Sequence, residues 1–207
     1  MLDSLILQWF FIFVIIIYII GFIIPLVLLK KKGINPHGTH EGTSIIARLS
    51  SVSIIDWLAY IILYIIFGDP IRHFWAYSFL ISDGIIISGI ILTISGVIID
   101  GLGTYFLGIN FRIEIPEEQT ELITNGIYRL MRNPIVFGLY LIVLGSFFII
   151  PTMISLSLLI IIIITFNSKA RDEERFLSKR FGEKYERYKK KVGRYLPFTI
   201  KKCRFFF

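Results

Sequence analysis

Five stretches of this chain are apolar over lengths that matter in a bilayer: Leu5 to Leu29, Val52 to Phe67, Phe79 to Ile99, Ile135 to Ile150 and Thr152 to Phe166. The first is roughly 25 residues, about 37 Å of helix, which exceeds the ~30 Å of a bilayer's hydrocarbon. Asp3 rather than a basic stretch precedes it and no small-residue cleavage site follows, so an uncleaved first span is expected. The second, fourth and fifth are short for independent spans. Pro151 separates the last two with almost no loop, which predicts a tight helical hairpin that does not fully cross. Between the third and fourth, Gly101 to Arg132 reads as a polar connector interrupted by Pro116. Within it, Phe111-Arg112-Ile113-Glu114-Ile115 alternates with period two, the pattern of a short strand or an extended interfacial piece. Beyond the hairpin, Phe176, Leu177, Phe181, Tyr185, Tyr188 and Val192 recur mostly at three- to four-residue steps. They mark the apolar stripe of an amphipathic helix from about Ala170 to Lys191, kinked at Gly182 and lying along the membrane surface. The expected fold is an all-α membrane protein with about five transmembrane or membrane-embedded helices and a C-terminal cytoplasmic amphipathic helix. Residues 1–100 form its three-helix membrane region; residues 101–207 hold the connector, hairpin and basic tail.

Composition agrees: 55% of the residues are hydrophobic and mean hydropathy is +0.74, far above what one soluble core of this size needs. Charge adds direction. Of a net +7, the tail from Lys169 to Arg204 holds 14 Lys and Arg against five acids, a local +9 that leaves −2 for the rest. A basic stretch beside a span meets anionic lipid far more readily than nucleic acid, and no nucleic-acid function is read. The positive-inside rule then places the loops with Lys30-Lys31-Lys32 and Arg48, those with Arg112, Arg129 and Arg132, and the tail on the cytoplasmic side of a multi-pass cell-membrane protein. The N-terminus falls outside. The single Cys203 excludes an internal disulfide, and four residues follow it where a prenylation box has three.

Two polar blocks carry candidate chemistry. Asn133 suits an N-cap and Pro134 a first helical residue, so free backbone N–H groups at a positive dipole end should stand beside Arg132, a good setting for an anionic group. Farther on come Glu173-Glu174 and Phe181-Gly182-Glu183-Lys184-Tyr185-Glu186-Arg187-Tyr188. Together, Leu122-Ile123-Thr124-Asn125-Gly126-Ile127-Tyr128-Arg129, Arg132-Asn133-Pro134-Ile135-Val136-Phe137-Gly138 and the tail residues Glu173, Glu174, Leu177, Phe181, Gly182, Tyr185, Tyr188, Val192, Arg194 and Pro197 resemble the isoprenylcysteine carboxyl methyltransferase and phospholipid methyltransferase family of integral membrane enzymes. The tail pattern is complete. The earlier block departs at Asn133, where the family has His, and at Val136, where it has Tyr.

The resemblance implies an S-adenosylmethionine-dependent methyltransferase whose lipophilic acceptor, a prenylcysteine carboxylate or a lipid, enters from the bilayer. It implies catalytic roles for Glu174, Arg132 and Asn133, and cofactor contacts from Tyr128, Arg132, Asn133, Pro134, Gly138, Glu173, Glu174, Tyr185 and Tyr188, with no metal. Such a cofactor needs carboxylates for its hydroxyls or ammonium, donors for its carboxylate and aromatic faces for its ring and sulfonium. Asn133 keeps hydrogen bonding but not the proton shuttling of a His. An already anionic acceptor needs no proton removed, which favours a carboxylate or thiolate over an amine. Two rivals stay open: a sterol-reductase-like enzyme using NADPH, and a non-catalytic membrane scaffold of the same fold. Gly126 and Gly138 suit a turn and a close helix approach. Asp56, inside an apolar segment, should face protein or an interface, since it would cost ~2.5–3.5 kcal/mol at mid-bilayer. His37 and His40 have only Glu41 as a neighbouring acid and no Cys, which falls short of a zinc set.

Overall fold

The structure, a computed structural model, describes residues 3–31, 45–73, 82–108 and 121–195. The alternating piece at Phe111 to Ile115, His37, His40 and Cys203 lie outside them. Among the described residues seven α-helices follow one another: α1 (Ser4–Lys31), α2 (Ile45–Phe67), the short α3 (Asp69–His73), α4 (Asp83–Leu107), α5 (Pro134–Ile149), α6 (Met153–Phe181) and α7 (Glu183–Lys191). Helices α1, α2, α4 and α6 are long and apolar enough to cross a membrane. Helix α5 has 16 residues, about 24 Å, and falls short of the ~30 Å hydrocarbon core. This is an all-α membrane protein, with the hairpin formed by α5, a turn at residues 150–152 and α6.

Three boundaries differ from the hydropathy reading, because a helix can run on past its apolar part. The second segment begins at Ile45 and runs 23 residues, so it is not short. Helix α4 passes through position 100 and through the expected start of the connector to end at Leu107. The fifth segment continues past Phe166 for 29 residues in all, because Lys169, Ala170, Arg171, Glu173, Glu174 and Leu177 are strong helix formers although polar as a group. The tail helix expected from Ala170 is therefore two pieces, the end of α6 and α7. Gly182 separates them at φ +50°, a left-handed value that favours glycine, and Ser178 Oγ donates to Glu186 Oε1 at 2.5 Å across the break.

Two kinds of contact hold the bundle. Helices α4 and α5 run antiparallel with backbones nearly touching, through glycines spaced by seven on each. A Cβ on Gly96 would stand 2.5 Å from the Gly138 carbonyl oxygen, one on Gly89 would be 2.7 Å from that of Gly145, and one on Gly103 would meet Ile135 and Pro134 at 2.8 and 3.1 Å. In lipid, where apolar burial does not drive association, such backbone proximity is what packs helices. Helix α2 instead meets the hairpin through polar pairs: Trp57 Nε1 donates to Ser146 Oγ at 3.0 Å, the Tyr60 and Thr152 hydroxyls are 2.6 Å apart, and those of Ser53 and Thr165 are 3.4 Å apart. Thr152 and Ser155 form a reciprocal capping box that starts α6 directly after Pro151. Of the two settings expected of Asp56, protein or an interface, the first is not met. The residue lies near the middle of α2 with its side chain exposed, away from the protein interior.

Candidate functional site

The site is built where three chain segments meet at the α5 start and the α6 end. From Met153 to Glu174 α6 rises about 32 Å, while α5 is about 24 Å long, so Glu174 and the Arg132-Asn133 pair stand at the same end of the hairpin. The chain after α7 then returns to them. Residues Met131 and Gly193 form a parallel bridge, with Arg132 N–H donating to Gly193 O at 2.9 Å and Asn133 N–H to Arg194 O at 3.0 Å. Tyr188 Oη donates to the Tyr128 carbonyl at 2.6 Å, tying α7 to the same turn.

Glu174 is the hub. Its side chain is 6% exposed and that of Arg132 9%. Arg194 grips it with both prongs, Nε donating to Oε1 at 2.9 Å and Nη2 to Oε2 at 2.7 Å. Asn133 Nδ2 donates to Oε1 at 3.3 Å, and Arg132 Nη1 is 3.2 Å from the same oxygen. Arg194 Nη1 also donates to Asn167 Oδ1 at 3.2 Å, which accepts the Tyr195 hydroxyl at 3.1 Å. Forked arginine–carboxylate pairing of this kind fixes both partners in direction as well as distance. Hydrogen bonding to Glu174 raises the Arg194 pKa above its ordinary value.

One carboxylate against two guanidinium groups leaves the cluster a net positive charge. The Arg132 Nε and Nη1 atoms are buried and have no hydrogen-bond partner among the described residues; Nη1 meets Glu174 as an ion pair only. Unsatisfied buried donors are unfavourable by about 1–3 kcal/mol each, more on a charged group. Beside them, Pro134 is the first residue of α5 and Asn133 occupies the N-cap position, but the Asn133 side chain makes no cap bond. It turns to Glu174 instead, so the N–H groups of the first turn keep their dipole uncapped.

The remaining predicted residues divide by position. Tyr185 is 1% exposed and stands by Arg132; burial pushes its phenol up to about 12, with Glu174 adding to the rise. Tyr188 packs edge-on to it, the ring centroids 6.1 Å apart, and is raised by burial and then by Tyr185. Both stay neutral phenols. Tyr128 points elsewhere, its hydroxyl donating to the Gly103 carbonyl of α4 at 3.3 Å. Gly126, at φ +55°, opens the turn that carries Tyr128, and a Cβ there would run into the Phe106 ring. Gly138 faces the α4 backbone at Gly96 and Asp100. Glu173 joins none of the hydrogen bonds to the cluster described above and faces Lys169. Arg194 and Asn167 were not singled out as site residues from the sequence. Arg194 had a signal, its place three residues before Pro197 at the end of the tail pattern; Asn167 had only its polarity at the close of an apolar run.

A charged cluster joining the start of one membrane helix to the far end of its hairpin partner, clamped by the returning chain, defines a helical membrane protein with an anion-receptive polar site. Residues 77–184 match the phospholipid methyltransferase family. The chain belongs to that family. It is 32% identical over 132 residues to a probable protein-S-isoprenylcysteine O-methyltransferase of Oryza sativa subsp. indica, covering 62% of this chain and 65% of the relative. It is 29% identical over 150 residues to protein-S-isoprenylcysteine O-methyltransferase A of Arabidopsis thaliana, covering 72% and 71%. A Schizosaccharomyces pombe protein-S-isoprenylcysteine O-methyltransferase is 34% identical over 77 residues, 37% and 33% of the two chains. The chain thus spans just under two thirds of the rice relative's length.

Proposed function

We propose that this protein is a membrane methyltransferase that transfers a methyl group from S-adenosylmethionine to a lipophilic acceptor, and that Arg132 receives the cofactor's carboxylate. The observation that carries the reading is buried Arg132, whose Nε and Nη1 make no hydrogen bond among the described residues although Nη1 is ion-paired with Glu174, next to the uncapped start of α5. An amino-acid carboxylate fits both, as two charge-assisted hydrogen bonds and a helix N-terminus suit one anion. When bound, S-adenosylmethionine supplies an electrophilic methyl on a sulfonium, which an acceptor nucleophile takes as the thioether leaves.

The chain's own residues do the rest. Glu174 acts as a positioning group, since Arg194, Asn133 and Arg132 already surround its oxygens. It holds Arg132 and Arg194 against their mutual repulsion, and Asn133 fixes its angle. Tyr185 and Tyr188 offer neutral aromatic faces beside the cluster, suited to a ring or a sulfonium. Asn133 is not a base near neutral pH, which favours an acceptor already anionic, such as a prenylcysteine-type carboxylate. The basic tail then faces the cytoplasmic leaflet of the cell membrane and its anionic lipids, with the N-terminus on the other side.

Isothermal titration of the purified chain with S-adenosylmethionine, its decarboxylated analogue and NADPH tests this. Arg132→Ala should weaken S-adenosylmethionine roughly ten- to hundredfold, the worth of a charge-assisted hydrogen bond of ~1.5–3 kcal/mol, and leave the decarboxylated analogue nearly unchanged. Binding of NADPH without S-adenosylmethionine would make the protein a reductase, and equal loss of both methyl donors would make Arg132 a structural anchor only.

A further inference from the structure

A second feature lies between α1 and α4, and none of the Arg132–Glu174 cluster residues lines it. Helices α1 and α4 leave between them a cavity of about 460 Å³, within the range of small-molecule sites of roughly 300–1,000 Å³. Its walls are mainly apolar; Tyr18, Gly21 and Ile24 line it from α1 and Val97, Asp100 and Gly101 from α4. Two observations separate it from loose packing. The Asp100 Oδ1 atom is buried and has no hydrogen-bond partner, in a setting where a lone polar atom is unfavourable by about 1–3 kcal/mol. And a Cβ on either Gly21 or Gly101 would meet nothing within 4 Å. These two glycines hold space open rather than bring backbones together, although mid-helix glycine is less stable than alanine by about 1 kcal/mol.

Position narrows the ligand. Asp100 lies seven residues from the end of α4 at Leu107, about 10 Å along a helix of about 37 Å. With α4 centred in the bilayer, that places Asp100 toward one boundary of the hydrocarbon rather than at its middle. An acid in apolar surroundings is best matched by a cation that brings its own donors, and the apolar walls suit a hydrocarbon chain. We propose that the α1–α4 cavity is a binding site for a single-chain amphiphile with a protonated amine head, which pairs with Asp100. The proposal does not depend on methyl transfer, because none of the cluster residues lines this cavity.

Native mass spectrometry of the full chain released from detergent micelles, with hexadecylamine, hexadecanol and palmitate as probes, reads the site directly. Hexadecylamine should add as one saturable molecule and the other two should not. Asp100→Asn should lower its occupancy about tenfold, the scale of one charge-assisted contact. Gly101→Leu, which fills the cavity, should remove it. Gly21→Leu on the opposite wall gives the same reading if Gly101→Leu fails to show native helicity by circular dichroism. Undiminished hexadecylamine binding by folded Asp100→Asn, comparable binding of hexadecanol or palmitate, or an adduct that survives the leucine substitution would overturn the proposal.

Discussion

Helix α4 shows two faces made from the same small residue. Toward α5, Gly89, Gly96 and Gly103 bring the two backbones so close that no side chain fits; toward α1, Gly101 stands opposite open space in which a side chain would meet nothing. A glycine in a membrane helix is therefore a contact or a vacancy according to what the facing helix presents. The α5 side is also the side that carries chemistry. Its glycine seam fixes where Pro134 begins, and so where Arg132 and Asn133 stand, whereas the α1 side can change volume without moving them.

Substitutions should separate the faces, and the largest effect should come from the seam. Gly96→Leu places carbon 2.5 Å from the Gly138 carbonyl oxygen, a backbone atom that cannot swing aside. A loss of about 3 kcal/mol is expected, seen as a midpoint lower by roughly 6–12 °C in thermal unfolding. A wild-type midpoint would mean that α4 and α5 slide freely. Gly138→Ala is gentler, its Cβ 2.7 Å from the Asp100 backbone nitrogen, and should lower stability by about 2 kcal/mol. Because it displaces α5 near its start, it should also weaken S-adenosylmethionine in titration, a link absent if seam and cluster are independent. Tyr128→Phe removes the hydroxyl that reaches Gly103 O and should lower stability by about 1 kcal/mol in denaturant titration. The smallest change has the opposite sign. Gly101→Ala should stabilise by up to about 1 kcal/mol through helix propensity alone, and destabilisation there would show that the α1 face is tightly packed after all.

The sequence announced the apolar helices plainly, because a run of Ile, Leu and Phe has one physical use at such lengths. It misplaced ends wherever a helix ran on past its apolar part, as at Ala170 in α6 and Asp100 in α4. Asp100 itself, set at the edge of the connector by hydropathy, drew no attention. Arg132, Asn133 and Glu174 were legible as candidates through the family pattern, and the structure brings these three side chains together. What each does to the others was not legible. Pairing of Arg194 with Glu174 needs the chain to double back after α7, which no periodicity encodes. The seam glycines were readable only for Gly138, since a spacing of seven means close packing only when a second helix carries its own. Asp56 is the converse case: a polar residue in an apolar run was expected to face protein or an interface, and it does not face protein.

The parallel bridge between Met131 and Gly193 also sets a schedule. About 60 residues separate the two halves of the site along the chain, so at a synthesis rate of ≈ 5–20 residues per second the second half emerges about 3 to 12 s after the first. Over that interval α5 must enter the membrane with Arg132 lacking both Glu174, which arrives with the end of α6, and the backbone partner at Gly193. The newborn hairpin therefore spends seconds as an apolar insertion with its polar end unassembled, and the charged cluster closes only when Arg194 arrives.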